Sequence, residues 1–327
     1  MYTRQWMVTH KWMLDYTHQS EWIERRGIMV WIAEVFTTLG SGLYLVALFF
    51  DIFHGSDNLY GFYGMVLAWV IIMALKVPIH LAYFGKPFRF WRTLPPFTKA
   101  WKTSWFTRGI VFTVLFGSFA FVQLALAFIS RDLGWINLGW LPAHSGLEIV
   151  FIVLSVATAL VVGVYGGFIM NFCKSVPFWN SKLLPAVFLL GGIADGFGLM
   201  VAIALAGGDD RVMQIAEIGT RWTLIASALI LLAYLISAVR RAPAAKLSVM
   251  ELVGKGTTAL AFWVGVVAFG IIVPLVISIY SMFTAEHVTP VILIIAVICH
   301  TLGAFAIKYC LLKVGIHRPI LSLKADF

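Results

Sequence analysis

Glu34, Lys76, His80 and Tyr165 interrupt stretches of chain that are otherwise almost wholly apolar. Their side chains cover the elementary moves of proton chemistry. The carboxylate and the imidazole act as acid or base, the ammonium as a charge partner, and the phenol as a neutral hydrogen-bond donor. An ionisable group deep in hydrocarbon costs roughly 2.5 to 3.5 kcal/mol on insertion scales, so a cluster drawn from separate apolar segments calls for a chemical reason. The chemistry such a cluster suits is a polar pocket for an amphiphilic redox molecule.

The segments that carry these residues fix the class of protein. The chain is 61% hydrophobic and 12% charged, with a mean hydropathy of +0.92, and no soluble core absorbs that much apolar surface. Eight apolar runs are long enough to cross a bilayer core of roughly 30 Å: residues 29–50, 60–83, 107–129, 145–172, 182–206, 220–238, 258–281 and 289–312. None alternates polar and apolar residues as a β-barrel span would. The expectation is an all-α integral membrane protein. It divides into an N-terminal interfacial or docking arm (1–28), a four-helix bundle (29–172), a second four-helix bundle (182–312) and a tail (313–327). The arm is rich in charge (Arg4, Lys11, Asp15, Glu21, Glu24, Arg25, Arg26) and has no continuous apolar core. It therefore does not read as a cleavable signal peptide, and the first span directs insertion.

Gly40-Ser41-Gly42-Leu43 in the first run is echoed by Gly196-Phe197-Gly198-Leu199 in the fifth. Either an internal duplication or small residues at close-packed helix crossings accounts for the echo.

An even number of spans puts both termini on one side. That side carries Lys86, Arg89, Arg92, Lys99, Lys102, Lys174, Arg240, Arg241, Lys246, Lys255, Lys313, Arg318 and Lys324, against mainly Arg131 and Arg211 in the opposite loops. The positive-inside rule then makes the termini cytoplasmic, although a basic face also suits an acidic partner subunit. The net charge of +9 lies in membrane-flanking loops without a recognition motif, so lipid headgroups or a partner protein are its counter-charges, and nucleic acid is not. Cys173, Cys299 and Cys310 form no CxxC pair and no four-ligand set, so any iron-sulfur cluster belongs to another subunit.

Counting residues gives depth. Glu34 lies about five residues into the first run, roughly 7 Å at the helical rise. His80 and Lys76 lie about three and seven residues from the end of the second, and Tyr165 about seven from the end of the fourth, roughly 10 Å deep. All four share one shallow layer on the terminal side. Lys76 and His80, at i and i+4, share a helix face, and Pro78 between them opens the local backbone ladder. A quinone exchanges two electrons and two protons and needs carbonyl donors, a proton relay and an apolar cleft, which this layer offers. Each residue has a plainer alternative: Tyr165 in an aromatic belt, Lys76 snorkelling, His80 bonded to a carbonyl, or a structural Glu34 to Lys76 ion pair.

A second set lies deeper. Asp195 and His300 are near mid-membrane, and Glu148, His144 and Arg221 lie toward the opposite face. They either line a proton path to that face or pair between helices, Asp195 with Arg221 for example. The basic and aromatic loop Gly85-Lys86-Pro87-Phe88-Arg89-Phe90-Trp91-Arg92 and the arm with Trp6, Trp12 and Trp22 suit the headgroup region or a docked protein, and the segment 132–142 with Trp135 and Trp140 reads as a short interfacial segment.

The run from Tyr165 through Asn171 and Cys173 to Pro177-Phe178-Trp179-Asn180, then Leu183-Leu184-Pro185-Ala186 and Phe188 to Gly192, resembles the NrfD/PsrC polysulfide-reductase membrane-subunit family. The Gly85 to Trp91 loop with Ser104-Trp105 to Gly109, and Leu39-Gly40-Ser41-Gly42, fit the same pattern, which covers roughly the first 200 residues. The resemblance implies an eight-helix subunit of a prokaryotic inner membrane with no haem or iron-sulfur cluster of its own. Such subunits exchange electrons between the quinone pool, menaquinone or ubiquinone, and an iron-sulfur subunit that commonly serves a molybdopterin catalytic subunit. It also implies that Tyr165 matches the family's quinone-binding tyrosine and that Glu34 falls near its polar helix-1 contact. Glu at that position is a departure, as is Val176 where a basic residue often stands. With the loop charges, the resemblance implies a cytoplasmic partner.

Two other classes share some of these features. A proton-coupled transporter also buries Asp, His and Arg, but around broken helices at the midplane. A diheme cytochrome b needs histidine pairs at matched depths, and His80 and His300 differ in depth.

Overall fold

The computed structural model describes residues 15–53, 59–93, 99–131, 145–283 and 289–319. Within them run eight membrane-length helices: α1 (Arg25–Phe53), α2 (Leu59–Tyr83), α3 (Trp105–Ser130), α4 (Gly146–Phe172), α5 (Leu184–Gly207), α6 (Asp210–Arg241), α7 (Thr257–Phe283) and α8 (Pro290–Lys313). The all-helical architecture and the number of spans are those expected from the sequence. The largest difference in boundaries is at the sixth run. Asp210, Arg211 and Glu217 dilute its hydropathy, but the Asp209 side chain accepts a hydrogen bond from the Val212 amide at 2.9 Å and starts the helix ten residues before 220. Just upstream, Gly208 takes the left-handed conformation (φ 74°) that closes α5.

The first helix is the axis of the molecule. In α1, 78% of the apolar window is buried, against 22% in α6, α7 and α8, and it packs on α2, α4, α5 and α8. It meets α5 backbone to backbone, and the glycine echo explains why. A Cβ on Gly42 would overlap the Gly192 carbonyl, one on Gly196 would come within 2.5 Å of the Gly42 oxygen, and one on Gly192 within 2.7 Å of the Thr38 oxygen. Backbone therefore rests on backbone, which only small residues allow.

Two helices depart locally from the α pitch. In α2 the turns Ile71–Lys76 widen to π geometry, and in α7 the stretch Ala261–Ile272 does the same. Each is followed two residues later by a proline, Pro78 and Pro274. Proline has no amide to give to the preceding turn and crowds its carbonyl, and a wider turn relieves both conflicts. The expected opening of the ladder near Pro78 is this π segment.

On the terminal side the segments that flank the first and last spans are clasped together. Thr17–His18 pairs antiparallel with Ile316–His317, the Gln19 amide donates to the Gly315 carbonyl at 2.8 Å, and the Gln19 side chain donates to the Leu312 carbonyl. Trp22 stacks on Trp179 with centroids 5.0 Å apart. The arm's Trp22 is thus packed against the bundle. Trp6, Trp12, His144 and the segment 132–142 lie outside the described residues.

Replacing Gly42 with Val should force α1 from α5 at a cost on the order of 3 kcal/mol. Gly146→Ala, where a Cβ meets nothing within 4 Å, should be silent. Thermal unfolding midpoints in detergent distinguish the two.

Candidate functional site

In the terminal-side layer the helices bring Glu34, Lys76, His80 and Tyr165 into one neighbourhood, all of them buried. Glu34 of α1 is admitted by Gly166 of α4, where any Cβ would collide with the carboxylate. The Tyr165 hydroxyl faces the Glu34 carboxylate and the Thr37 hydroxyl. Its ring lies so close to α3 that a Cβ on Gly109 would approach it to 2.5 Å. Lys76 sits at the end of the π segment of α2, donates to the Thr113 hydroxyl at 2.7 Å, and lies 5.2 Å from the Tyr165 ring centroid. The direct Glu34 to Lys76 ion pair, one of the alternatives open from sequence, does not form, because this ammonium is directed to α3. It acts on Glu34 through space.

A cavity of about 220 Å³ adjoins the cluster, and its wall includes Glu34, His80, Trp22, Phe106, Met170 and Leu312. Two polar atoms of this wall, Glu34 Oε2 and His80 Nδ1, have no hydrogen-bond partner among the described residues. Burying a polar group unpaired costs about 1 to 3 kcal/mol, and both of these residues line the one cavity. The His80 ring is held by Phe106 and Phe84, at 5.4 and 5.9 Å between centroids. The four sequence candidates thus separate into two layers. Glu34 and His80 face the cavity, while Tyr165 and Lys76 stand behind it and support Glu34.

One further member of the cluster is not among the sequence candidates. Lys308 of α8 is buried, lies 3.6 Å from the centroid of the Phe188 ring, and acts electrostatically on both Glu34 and Asp195. The depth count that finds the others also reaches it, since it lies five residues before the end of α8 on the terminal side. Its nearness to the helix end gives it the look of a snorkelling cation. Glu34 therefore sits under two lysines, one from α2 and one from α8.

The deeper candidates fall into separate groups. Asp195 pairs with His300, with 3.0 Å between Oδ1 and Nε2, and His300 Nδ1 lies 3.0 Å from the Gly270 carbonyl oxygen. The pairing of Asp195 with Arg221 is not made. Arg221 instead donates to the Ser278 hydroxyl at 3.1 Å and to the Ser278 carbonyl, because α7 stands beside α6 at that level. Glu148 joins a buried ion cluster near the opposite face. There Arg131 contacts both oxygens of Asp51 at 2.8 and 2.6 Å and approaches Glu148 at 3.8 Å. Arg131, a loop charge by sequence, is an interior one, and its partner Asp51 is a site residue that sequence does not single out. The free positive charge of the opposite face is correspondingly smaller.

The Pro177-Phe178-Trp179-Asn180 segment is a fastening. The Tyr234 hydroxyl of α6 donates to the Phe178 carbonyl at 2.8 Å, Trp179 Nε1 donates to the Leu311 carbonyl at 2.7 Å, and the Asn180 side chain donates to the Asn171 carbonyl at 2.6 Å. It fixes the ends of α4, α6 and α8, and hence the floor on which the Trp22 ring stacks. On the loop after α2, Phe88 and Trp91 project outward with Arg92 beside Trp91, a surface suited to headgroups or a docked protein.

Residues 26–319 match the family described as Polysulphide reductase, NrfD. The protein is 27% identical to Protein NrfD of Escherichia coli (strain K12) over 230 residues, 64% of its own length and 68% of the relative. It is 25% identical to the C subunit of polysulfide reductase from Wolinella succinogenes over 174 residues, 52% of its own length and 53% of the relative. A homolog of Protein NrfD from Haemophilus influenzae is 23% identical over 178 residues. The protein thus spans about half the length of the latter two relatives, at 53% of each.

Arg131→Met removes the guanidinium that contacts Asp51 and approaches Glu148 and should destabilise the protein by about 3 to 5 kcal/mol. Adding Asp51→Asn should recover part of the loss, measured as unfolding midpoints in detergent.

Proposed function

The chain belongs to the polysulphide reductase NrfD family, and from that membership we propose that it is the quinone-reactive membrane subunit of a multi-subunit oxidoreductase. In this reading it passes electrons between the membrane quinone pool and an iron-sulfur subunit, with a molybdopterin subunit as the commonest catalytic partner in the family. The observation that carries the proposal is the cavity with two unpartnered polar atoms, Glu34 Oε2 and His80 Nδ1, in an otherwise apolar wall. Menaquinone and ubiquinone both combine an apolar body with carbonyl oxygens, and that wall offers each part a counterpart.

The quinone supplies two-electron, two-proton chemistry when bound. The protein's part is to hold it and to move protons. The His80 ring, clamped between two phenylalanines, presents Nδ1 as donor to a quinone carbonyl when the nitrogen carries a proton and as acceptor from a quinol hydroxyl when it does not. Glu34 takes up or delivers the other proton, and the two lysines near it stabilise its charge inside the bundle. Tyr165 acts through Glu34: its hydroxyl, shared with Thr37, holds the carboxylate toward the cavity. Phe106, Met170 and Leu312 shed water from the apolar part of the ligand.

Two alternatives fare less well on particular observations. A transporter with a midplane site requires half-helices, whereas α1 to α8 each continue through their full described length. A diheme cytochrome b needs facing histidine pairs, and His300 is paired with Asp195.

Both termini are assigned to the cytoplasm, together with the iron-sulfur partner, on the loop charges. This rests on the basic terminal side and on the removal of Arg131 from the opposite loops.

In the assembled complex, Glu34→Gln should lower quinone-linked turnover by about 100-fold, in the range general acid-base groups contribute. Tyr165→Phe should lower it by about 10-fold with the quinone KM little changed, since its hydroxyl acts on Glu34 and not on the ligand. Unaltered quinone kinetics in both variants would remove the assignment. For orientation, a reporter active only in the cytoplasm and fused after Phe327 should be active; a silent fusion beside an active periplasmic reporter reverses the topology.

A further inference from the structure

A line of titratable groups, of which the pocket uses only Lys308, crosses α5 to α8. His300 of α8, eight residues from Lys308, stands where two further cavities meet. The one toward the opposite face, about 30 Å³, is lined by Glu217, Thr220 and Ser278 beside His300. The one toward the terminal face, about 70 Å³, is lined by Asp195, Ser227 and Lys308 beside His300. Each exceeds the roughly 10 to 15 Å³ that one water requires, and the buried hydroxyl of Ser227 has no partner among the described residues. Lys308 acts on both Asp195 and Glu34. Glu217, half-buried near the start of α6, accepts a hydrogen bond from Ser281 at 2.9 Å.

From this alignment we propose that Glu217, His300 with Asp195, and Lys308 form a proton route from the opposite face of the membrane to Glu34. The route rests on the pocket reading above and gives it a proton source on the far side of the membrane. A dry bundle interior has no reason to place a carboxylate, an imidazole, a second carboxylate and an ammonium in series, since each is costly there. A structural pair would be complete with Asp195 and His300 alone. Lys308 and the two cavities, each carrying a few polar side chains in its lining, extend it in both directions.

The proton balance is simple. Reduction of a quinone to the quinol takes two electrons from the iron-sulfur subunit and two protons; oxidation returns both. For reduction, Glu217 takes a proton from water at the opposite face and gives it up through the smaller cavity. His300 accepts it, and the imidazolium is held against Asp195. The larger cavity carries it to Lys308, which delivers one proton toward Glu34 as it receives the next. His80 handles the second proton from the terminal side. Each transfer breaks one N–H or O–H bond and makes another, and no group changes its charge over a full cycle. Arg221, bonded to Ser278 at the edge of the smaller cavity, is a fixed positive charge that opposes free passage of hydronium, so protons move by way of Glu217 and do not leak.

The test uses the whole complex in lipid vesicles, with pH-sensitive dyes on both sides, a voltage-sensitive dye, and turnover driven through a short-chain quinol or quinone. The native complex should exchange about one proton per quinone at the opposite face and displace charge across the membrane. Asp195→Asn and Glu217→Gln, both isosteric, should cut that opposite-face signal at least tenfold while quinone KM stays within twofold. Where Asp195→Asn impairs assembly on gel filtration, Glu217→Gln, half-buried at the mouth, carries the test. Opposite-face exchange that persists unchanged in the assembled variants, or native exchange confined to the terminal face, overturns the route and leaves the pocket standing. A native complex without any quinone-linked turnover defeats both readings.

Discussion

The arrangement of the whole bundle depends on the contact in which the backbones of α1 and α5 touch. At Gly42, Gly192 and Gly196 no side chain separates the two helices. In a bilayer there is little hydrophobic gain from bringing apolar surfaces together, so close packing of backbone must supply the attraction. Because the approach is fixed by glycine, the polar residues one and two turns away are fixed with it. Glu34 lies two turns toward the terminal face from Gly42 on α1, and Asp195 lies next to Gly196 on α5. Lys308 can act on both because the crossing brings these two carboxylates near a common neighbour.

Electrostatics then shapes what surrounds the crossing. A carboxylate inside hydrocarbon must be matched by cations or hydrogen-bond donors, and the protein does this from different helices each time: Lys76 and Lys308 for Glu34, the His300 imidazole for Asp195, Arg131 for Asp51 and Glu148. Each match ties helices distant in sequence, so the interior charges also specify which helices are neighbours. The aromatic fastening at Trp179 does the corresponding work at the terminal surface, where water competes for charges and an indole hydrogen bond inside an apolar wall is the sturdier link.

Much of this is legible in the sequence, and the failures are instructive. Eight apolar runs, their direction and the shallow layer of Glu34, Lys76, His80 and Tyr165 follow from residue counting, because a helix converts position into depth at a fixed rise. Counting says nothing about azimuth. That is why it leaves Arg221 open as a partner for Asp195 when the partner is His300 at the same depth, and why it offers Lys76 to Glu34 when the ammonium bonds Thr113. Lys308 is within reach of the same count but resembles the ordinary cation at a helix end. Arg131 and Asp51 sit at helix ends, where sequence suggests exposure and only the fold reveals an interior. The early start of α6 is hidden by the polar first turns that Asp209 caps.

The clasp between the segments flanking the first and last spans has a consequence in time. Trp22, made before the first span, forms part of the cavity wall, yet its stacking partner Trp179 is anchored to the Leu311 carbonyl near the end of α8, and Gln19 is anchored to Gly315. The wall is therefore finished only once α8 has been synthesised. A nascent subunit that has inserted six or seven helices carries Glu34 and His80 but not the surface that encloses them, so the cavity closes over these two side chains only when α8 is in place.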